Sequence, residues 1–233
     1  TPYQDEHLTL ANYNTLANIT DAAALNTQLK IIEQDADRGK GGINDLTPSD
    51  VVSSDPKNFT KNLGQVVDNL KQTYNQDKEF LDQRSKRVAE YKKIIQNFDK
   101  NSTSLEIAEM SLGQRQGVDE KYLDQILKKS ETQLKNDTQI ANIYMAALVK
   151  EVQTQNASIM KEWTQGHALS PANVIADSVK INENYEIMKS GVSQLNGILP
   201  PKSFNVYINT LDKGKAEVLA NAEKAIMKQY QTE

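Results

Sequence analysis

The sequence contains no cysteine, and this absence removes several classes of chemistry. A chain without thiols has no disulfides, no cysteine nucleophile and no iron–sulfur cluster. Its two histidines, His7 and His167, are too few to build a common zinc site without cysteine. The lack of cysteine fits any compartment and is favourable in an oxidising one. We therefore expect no metal site and no cofactor.

Turn-forming and aromatic residues are also scarce. The 233 residues include 10 glycines and 6 prolines, and only 6% of the chain is aromatic, which favours long helices over a fold of many strands. No apolar run approaches the roughly 20 residues of a membrane span, so we expect no transmembrane segment. The net charge is −4, with both signs interspersed, which disfavours nucleic acid or an anionic membrane as a partner.

Apolar side chains recur every three or four residues along five segments, as they do in amphipathic helices. The predicted helices span roughly residues 5–36, 56–100, 118–164, 171–198 and 203–230, and two of them are very long. Short connections predict an all-α fold, an elongated antiparallel bundle of about five helices. We expect residues 1–233 to form a single domain, because helices of this length leave no boundary inside them.

Proline and cap residues mark the predicted helix starts. Ser54-Asp55-Pro56 and Ser170-Pro171 each place a capping side chain directly before a proline at the first helical position. Pro200-Pro201 is expected to stop the fourth helix, and Ser203 is expected to cap the fifth. Gly64 lies inside the first long helix, where we expect it to mark a close contact with a neighbouring helix.

The segments between the predicted helices contain most of the glycines. Residues 39–55 are expected to form a loop, and Gly39-Lys40-Gly41-Gly42 within it lacks the spacing of a phosphate-binding loop. Residues 104–112 predict a short helix with Ser104 as its cap. Gly113 and Gly117 are expected to break the chain before the second long helix.

Polar residues interrupt the apolar stripes of the two long helices. Asp77 and Arg84 do so in the first, and Asp137 does so in the second. If the helices fold back on one another near residue 109, position 84 lies opposite positions 134–137. We therefore predict an ion pair between Arg84 and Asp137, interpreted as a structural pair that sets the register of the two helices. The alternative interpretations are a solvent-facing edge of the stripe and a buried polar site.

The stretch EWTQGHALSPANVI holds the only tryptophan of the chain. Gly166 stands where a helix C-cap is expected, and Ser170-Pro171 begins the next helix, so the stretch predicts a helix–helix corner. Trp163 is expected to pack at the end of the bundle. His167 is interpreted as a solvated loop residue rather than as a ligand or general base.

No catalytic constellation is present in the sequence. Neither a G-x-S-x-G nor an H-E-x-x-H motif occurs. Four tyrosines lie on the apolar stripes and are interpreted as core residues, with the lining of a ligand cavity as the alternative: Tyr74, Tyr91, Tyr144 and Tyr185. We therefore expect a protein that is not an enzyme and has no catalytic residues.

The chain begins at Thr1 rather than at methionine, which indicates processing or trimming. A removed secretory signal is one explanation, and a lipid-modified cysteine directly before Thr1 is compatible with it. We expect an extracytoplasmic bacterial protein of the periplasm or cell surface, secreted or lipid-anchored, that binds another protein. A cytoplasmic scaffold is the alternative if no signal was removed.

Two further functions agree with a long helical hairpin. One is a component of a secretion or conjugation pilus or another envelope assembly, because the predicted architecture resembles the minor pilus-tip proteins of type IV secretion systems, although no motif carries that resemblance. The other is a carrier of an apolar small ligand within the bundle. Self-association is compatible with each of these functions.

Overall fold

The described part of the protein is built from α-helices. The computed structural model describes Thr27 and residues 47–101, 112–164 and 170–231. Five helices follow one another in these residues: α1 Pro48–Val51, α2 Pro56–Asn101, α3 Leu112–Glu162, α4 Pro171–Gln194 and α5 Pro201–Gln231. No strand occurs in these residues. The prediction of an all-α fold with two very long helices is confirmed.

Capping side chains begin the helices as the sequence predicts. The carboxylate of Asp55 accepts a hydrogen bond from the backbone N–H of Lys57 at 3.0 Å, at the start of α2. Ser170 accepts from the N–H of Asn173 at 3.3 Å and begins α4. Each side chain satisfies one of the backbone donors that a helix N-terminus leaves without an internal partner. These two predicted starts are confirmed.

Two boundaries differ from the prediction. The predicted loop of residues 39–55 contains α1, which begins with a capping box between Thr47 and Asp50. Helix α3 begins at Leu112 and continues through Gly113 and Gly117, the two residues that were expected to break it. A glycine costs a helix about 1 kcal/mol relative to alanine, which is too little to end a helix of this length.

The end of α4 and the start of α5 also differ from the prediction. Helix α4 ends at Gln194 rather than near residue 198. Gly197 in the turn has a φ of +88°, a conformation that favours glycine and that ends the helical path. Helix α5 begins at Pro201 rather than at Ser203, because proline lacks only an N–H that the first helical turn does not use.

Several sequence predictions fall outside the described residues. They are the first predicted helix at 5–36, the glycine-rich segment 39–42, residues 104–111 of the short helix, and the corner residues Gly166 and His167. His7 also lies outside the described residues. These predictions stay predictions.

The helices belong to two compact units. The described residues of unit 1 lie within Thr73–Asn136, and those of unit 2 lie within Ile43–Gln72 and Asp137–Glu233. Helices α2 and α3 each contribute residues to both units. The expectation of one domain over residues 1–233 stays a prediction.

In unit 1, α2 and α3 pack antiparallel. Lys92 on α2 forms an ion pair with Asp124 on α3 at 2.6 Å, and Gln96 donates to Glu120 at 3.3 Å. Later residues of α2 therefore contact earlier residues of α3, as antiparallel packing requires. Five apolar residues are buried here: Val88, Tyr91, Ile95, Leu123 and Ile126. Four of them lie on the stripes predicted from the sequence, whereas Ile126 lies next to the predicted position Leu127, which is half-buried.

In unit 2, α3, α4 and α5 pack with alternating direction. Between α3 and α4, Trp163 contacts Asp177 and Asn156 contacts Asn184. Between α4 and α5, Lys189 pairs with Asp212 at 2.8 Å, and Lys215 pairs with Glu186. The buried apolar side chains include Phe59, Leu63, Leu148, Val152, Ile181, Met188, Val192, Leu211 and Val218.

Two helical glycines of unit 2 have opposite surroundings. A Cβ on Gly214 would lie 2.6 Å from Cζ and 2.9 Å from the hydroxyl oxygen of Tyr185, closer than real side-chain contacts occur. A Cβ on Gly64 would meet no atom of the described residues within 4 Å, apart from the backbone of its own helix. Contrary to the prediction, the described residues make no close contact at Gly64, because the neighbouring helix leaves open space there. Gly214 marks such a contact instead.

We expect Gly214→Ala and Gly64→Ala to shift stability in opposite directions. Gly64→Ala should raise the free energy of unfolding by about 0.5–1 kcal/mol, because alanine favours the helix and meets no neighbour. Gly214→Ala should lower it by about 1–2 kcal/mol, because overpacking against a buried ring outweighs the same helical gain. Urea unfolding followed by Trp163 fluorescence measures both. A stabilised Gly214→Ala variant would contradict the close contact.

Candidate functional site

A surface groove runs between α2 and α4 in unit 2. One recess of about 690 Å³ is lined by residues that include Asp55, Lys57, Thr60, Glu183, Glu186 and Ile187. A second recess of about 350 Å³ is lined by Leu63, Gly64, Val67, Ser190, Gly191 and others. The two recesses share Thr60, Glu186 and Ile187, so they form one continuous depression. We call it the α2–α4 groove.

Local structure fixes the walls of this groove. Asp55 caps the first turn of α2 and so places the mouth of the groove where that helix begins. The side chain of Asn62 donates to the carbonyl of Asp50 at 3.1 Å, which holds α1 against α2. On the opposite wall, Glu186 is held by Lys215 of α5. The groove is therefore lined by anchored helices rather than by loops.

The floor of the groove is apolar and its mouth is charged. Leu63 and Val67 are buried, and Ile187 is half-buried. Thr60 uses its hydroxyl within its own helix, where it donates to the carbonyl of Pro56 at 2.8 Å. Three carboxylates and one ammonium group line the mouth: Asp55, Glu183, Glu186 and Lys57. An apolar floor with a charged mouth is typical of a surface that binds a peptide or protein segment.

Exposed apolar side chains extend along α4 next to the groove. Ile175 is 52% exposed and Val179 is 55% exposed. They lie one helical turn apart, and Asn182 and Glu186 continue the same side of the helix at steps of three and four. The apolar surface therefore continues from the groove toward the N-terminus of α4.

Trp163 follows the last residue of α3 directly and is buried, with 9% of its surface exposed. Its indole nitrogen donates to the carboxylate of Asp177 on α4 at 3.1 Å. A buried indole N–H usually finds such a partner, because burying it without one costs free energy. The role predicted for Trp163, packing at the end of the bundle, stays a prediction, since residues 165–169 of the corner lie outside the described residues.

Trp163→Phe is expected to lower the free energy of unfolding by about 1 kcal/mol, because the ring still fills most of its space while the hydrogen bond is lost. Asp177→Ala should cost a similar amount. In the double variant the two losses should not add, since both remove the same bond. Thermal unfolding followed by circular dichroism measures the set. Fully additive losses would show that the bond contributes nothing.

Arg84 lies almost fully inside unit 1, with 1% of its surface exposed. Its Nη1 donates to the hydroxyl of Ser130 at 2.9 Å and to the carbonyl of Ile126 at 3.3 Å. The guanidinium also lies 4.7 Å from the centre of the Phe80 ring, within the range of a cation–π contact. Position 84 therefore lies against positions 126 and 130 of α3.

Asp137, the predicted partner of Arg84, lies further along α3 and is buried as well. It belongs to unit 2, whereas Arg84 belongs to unit 1. The predicted Arg84–Asp137 ion pair stays a prediction. Asp77, the third polar residue that interrupts a stripe, is also buried.

A buried polar cluster of unit 2 was missed by the sequence reasoning. Asn184 donates from its Nδ2 to Oδ1 of Asn156 at 3.4 Å, and both side chains are fully buried. Nδ2 of Asn156 and Oδ1 of Asn184 have no hydrogen-bond partner of normal geometry. Burial raises the pKa of the neighbouring Tyr185 hydroxyl, and the amide of Asn156 is near enough to oppose that rise in part.

Helical spacing alone could not locate this cluster. Asn156 lies four residues after Val152 and three before Ile159, and the adjacent Gln155 fits the same stripe almost as well. The structure buries Asn156, whereas Gln155 is half-buried and donates to the carbonyl of Val52 at 3.2 Å. Because Gln155 and Asn156 are both polar and adjacent, the apolar pattern does not show which of the two is buried.

The four stripe tyrosines divide into two pairs. Tyr91 and Tyr185 are buried, and Tyr74 and Tyr144 are half-buried. Burial also raises the pKa of the Tyr144 hydroxyl, and the charge of Asp50 adds to that rise. The lining of a ligand cavity by these tyrosines stays an alternative prediction.

Within residues 47–101, 112–164 and 170–231, no helix combines the length and the apolar character that a membrane crossing needs. In the same residues, no group of three or more histidine, aspartate or glutamate side chains is placed to hold a metal ion. Comparison of the chain with protein families, curated proteins and solved structures finds no match.

Proposed function

We propose that the protein is a non-enzymatic, extracytoplasmic bacterial protein, secreted or lipid-anchored, that binds another protein. The observation that carries this proposal is the exposed apolar surface of unit 2. Large apolar side chains that expose two fifths or more of their surface lie on α3, α4 and α5: Ile140, Ile143, Ile175, Val179, Val206, Leu219, Met227 and Tyr230. Of these, Ile175 and Val179 lie one turn apart on α4 next to the α2–α4 groove, and a contiguous exposed apolar surface is typical of a site that contacts another protein.

A protein partner accounts for this surface better than a membrane does. The chain carries a net charge of −4, so an anionic lipid surface would repel it. The exposed apolar residues of α4 are also interleaved with carboxylates such as Glu183 and Glu186, which a lipid interior does not accept. A protein surface can supply partners for both kinds of side chain.

Site-specific photo-crosslinking tests the protein-binding function. We would place p-benzoylphenylalanine at Ile175, Val179, Leu219 or Met227 in the full chain, expressed in the cell that naturally makes it. Adducts with a different protein are expected from at least one of these positions and not from the exposed polar position Lys213. A full set of variants that forms no adduct above the Lys213 background would contradict the function.

The location of the protein is tested separately. We expect protein isolated from its native cell to appear in the periplasmic, cell-surface or secreted fraction. The intact mass and N-terminal sequence of the same material report whether a leader was removed and whether a lipid is attached. Recovery in the cytoplasm with an unprocessed N-terminus would contradict the extracytoplasmic location while leaving protein binding intact.

A further inference from the structure

We propose that the α2–α4 groove binds one amphipathic helix of a partner protein, with lysine or arginine side chains of that helix facing Asp55 and Glu183 at the mouth. The proposal rests on the protein-binding function proposed above. It adds the place at which the partner binds and the chemistry by which the groove recognises it.

The dimensions of the groove suit a helix. Its two walls run in the same direction, because Thr60 shares a recess with Ile187 and Leu63 approaches Gly191 further along both helices. The residues of α4 that line the groove run from Asn182 to Gln194, which is roughly 18 Å at 1.5 Å per residue. A partner helix of about three turns matches this length. Anchors at every third or fourth residue would reach the floor, as in other helix-in-groove complexes.

Gly64 is the feature of the floor that the fold itself does not require. A glycine inside a helix is less stable than alanine by about 1 kcal/mol. Apart from the backbone of its own helix, no atom of the described residues lies within 4 Å of where its Cβ would be, so no described neighbour accounts for its small size. The same position lines the groove beside Thr60 and Ser190. A helix that approaches the backbone of α2 closely would use the space that Gly64 leaves.

The charged side chains at the mouth of the groove favour a partner of positive charge. Three carboxylates and one ammonium line it, and Glu186 is already paired with Lys215. Asp55 uses one oxygen to cap the backbone of Lys57, and both Asp55 and Glu183 are exposed. A partner with lysine or arginine at these points gains complementary contacts and faster association, whereas an acidic partner is repelled. A second copy of this chain, with its net charge of −4, fits the groove less well.

The experiment uses a matched pair of crosslinking positions in the full chain. Thr60 lines the groove and donates its hydroxyl to the carbonyl of Pro56. Thr154 on α3 is equally an exposed threonine of unit 2, and it donates to the carbonyl of Lys150 in the same way. We would place p-benzoylphenylalanine at either position and identify the crosslinked partner peptide by mass spectrometry.

We expect an adduct from position 60 and none from position 154. The crosslinked peptide should be helical in sequence pattern and carry lysine or arginine one turn from the crosslinked residue. Adding Gly64→Leu, which fills the floor, should lower the yield of the adduct about tenfold, and Gly64→Ala, which adds one methyl group, should lower it about threefold. Glu183→Lys should lower it about fivefold at low salt and less at high salt. Circular dichroism of each variant verifies that the fold is kept.

The failures of the two proposals are distinguishable. An adduct at position 60 that Gly64→Leu leaves unchanged would overturn the groove while protein binding survives. An adduct with a second copy of the chain, or with an acidic or extended segment, would overturn the stated partner chemistry. Adducts at Leu219 or Met227 but not at position 60 would place the interface elsewhere. The absence of adducts at all of these positions would overturn the protein-binding function itself.

Discussion

Arg84→Ala is expected to lower the free energy of unfolding of unit 1 by about 3–5 kcal/mol, the largest loss expected for any exchange considered for this chain. The substitution removes a buried side chain, two hydrogen bonds from a charged donor and the contact with the Phe80 ring. It also leaves the buried hydroxyl of Ser130 without the guanidinium donor, whereas the carbonyl of Ile126 keeps its helical hydrogen bond. Hydrogen exchange of the α2 and α3 amides measures the loss within unit 1.

Two controls separate burial from charge in this result. Arg87→Ala removes an arginine of the same helix whose ion pair with Glu90 is largely at the surface, and it should cost less than about 1 kcal/mol. Ser130→Ala removes one partner of Arg84 and should cost about 1 kcal/mol. Equal losses for Arg84→Ala and Arg87→Ala would contradict the buried network. A double-mutant cycle between Arg84 and Asp137 then tests their predicted ion pair, which should show a coupling above about 1 kcal/mol if it forms.

Asn184→Leu is expected to lower the free energy of unfolding of unit 2 by about 1–3 kcal/mol. Leucine has the same branched side-chain shape as asparagine and is larger, so the loss does not come from a cavity. The loss comes from Asn156, which stays buried. Its Oδ1 loses the hydrogen bond that Nδ2 of Asn184 donates, and its Nδ2 already lacks a partner. Urea unfolding followed by Trp163 fluorescence reports on unit 2, because Trp163 is the only tryptophan of the chain.

Asn156→Leu in the same chain is expected to recover most of that loss. With both amides replaced by apolar side chains, no buried polar group of the pair remains without a partner, and such exchanges are often neutral or stabilising. The double variant should therefore unfold at a higher urea concentration than either single variant. A double variant that is less stable than both single variants would show that the amides contribute favourable bonds beyond the one between them.

The periodicity of the sequence predicted that the segments are helical and which of their faces are buried. It did not predict the register between helices or the residues that contact one another. The stripes placed Arg84 and Asp137 at buried positions, because a polar residue at an apolar position of the pattern still faces the core. The partners Ser130 and Ile126 of Arg84 could not be identified from the sequence, because register depends on how the chain reverses between α2 and α3. The sequence pattern does not fix that reversal, and an error of a few residues moves the contact by one or two turns.

The surroundings of the glycines were beyond reach for a related reason. Gly64 and Gly214 both stand inside apolar helical patterns, and nothing in the local sequence distinguishes them. Only the contact between α4 and α5 places the ring of Tyr185 over Gly214. The α2–α4 groove is hidden for the same reason, since its two walls are more than a hundred residues apart in the chain and neither wall predicts the other.

The contact between Tyr185 and Gly214 has a consequence for the evolution of this chain. A relative that keeps tyrosine at the position of Tyr185 has no room for a larger residue at the position of Gly214. A relative with a small side chain at the first position is free to gain alanine at the second. The two positions should therefore vary together, and this pair of linked substitutions gives a specific criterion for judging whether a distant sequence shares the fold of unit 2.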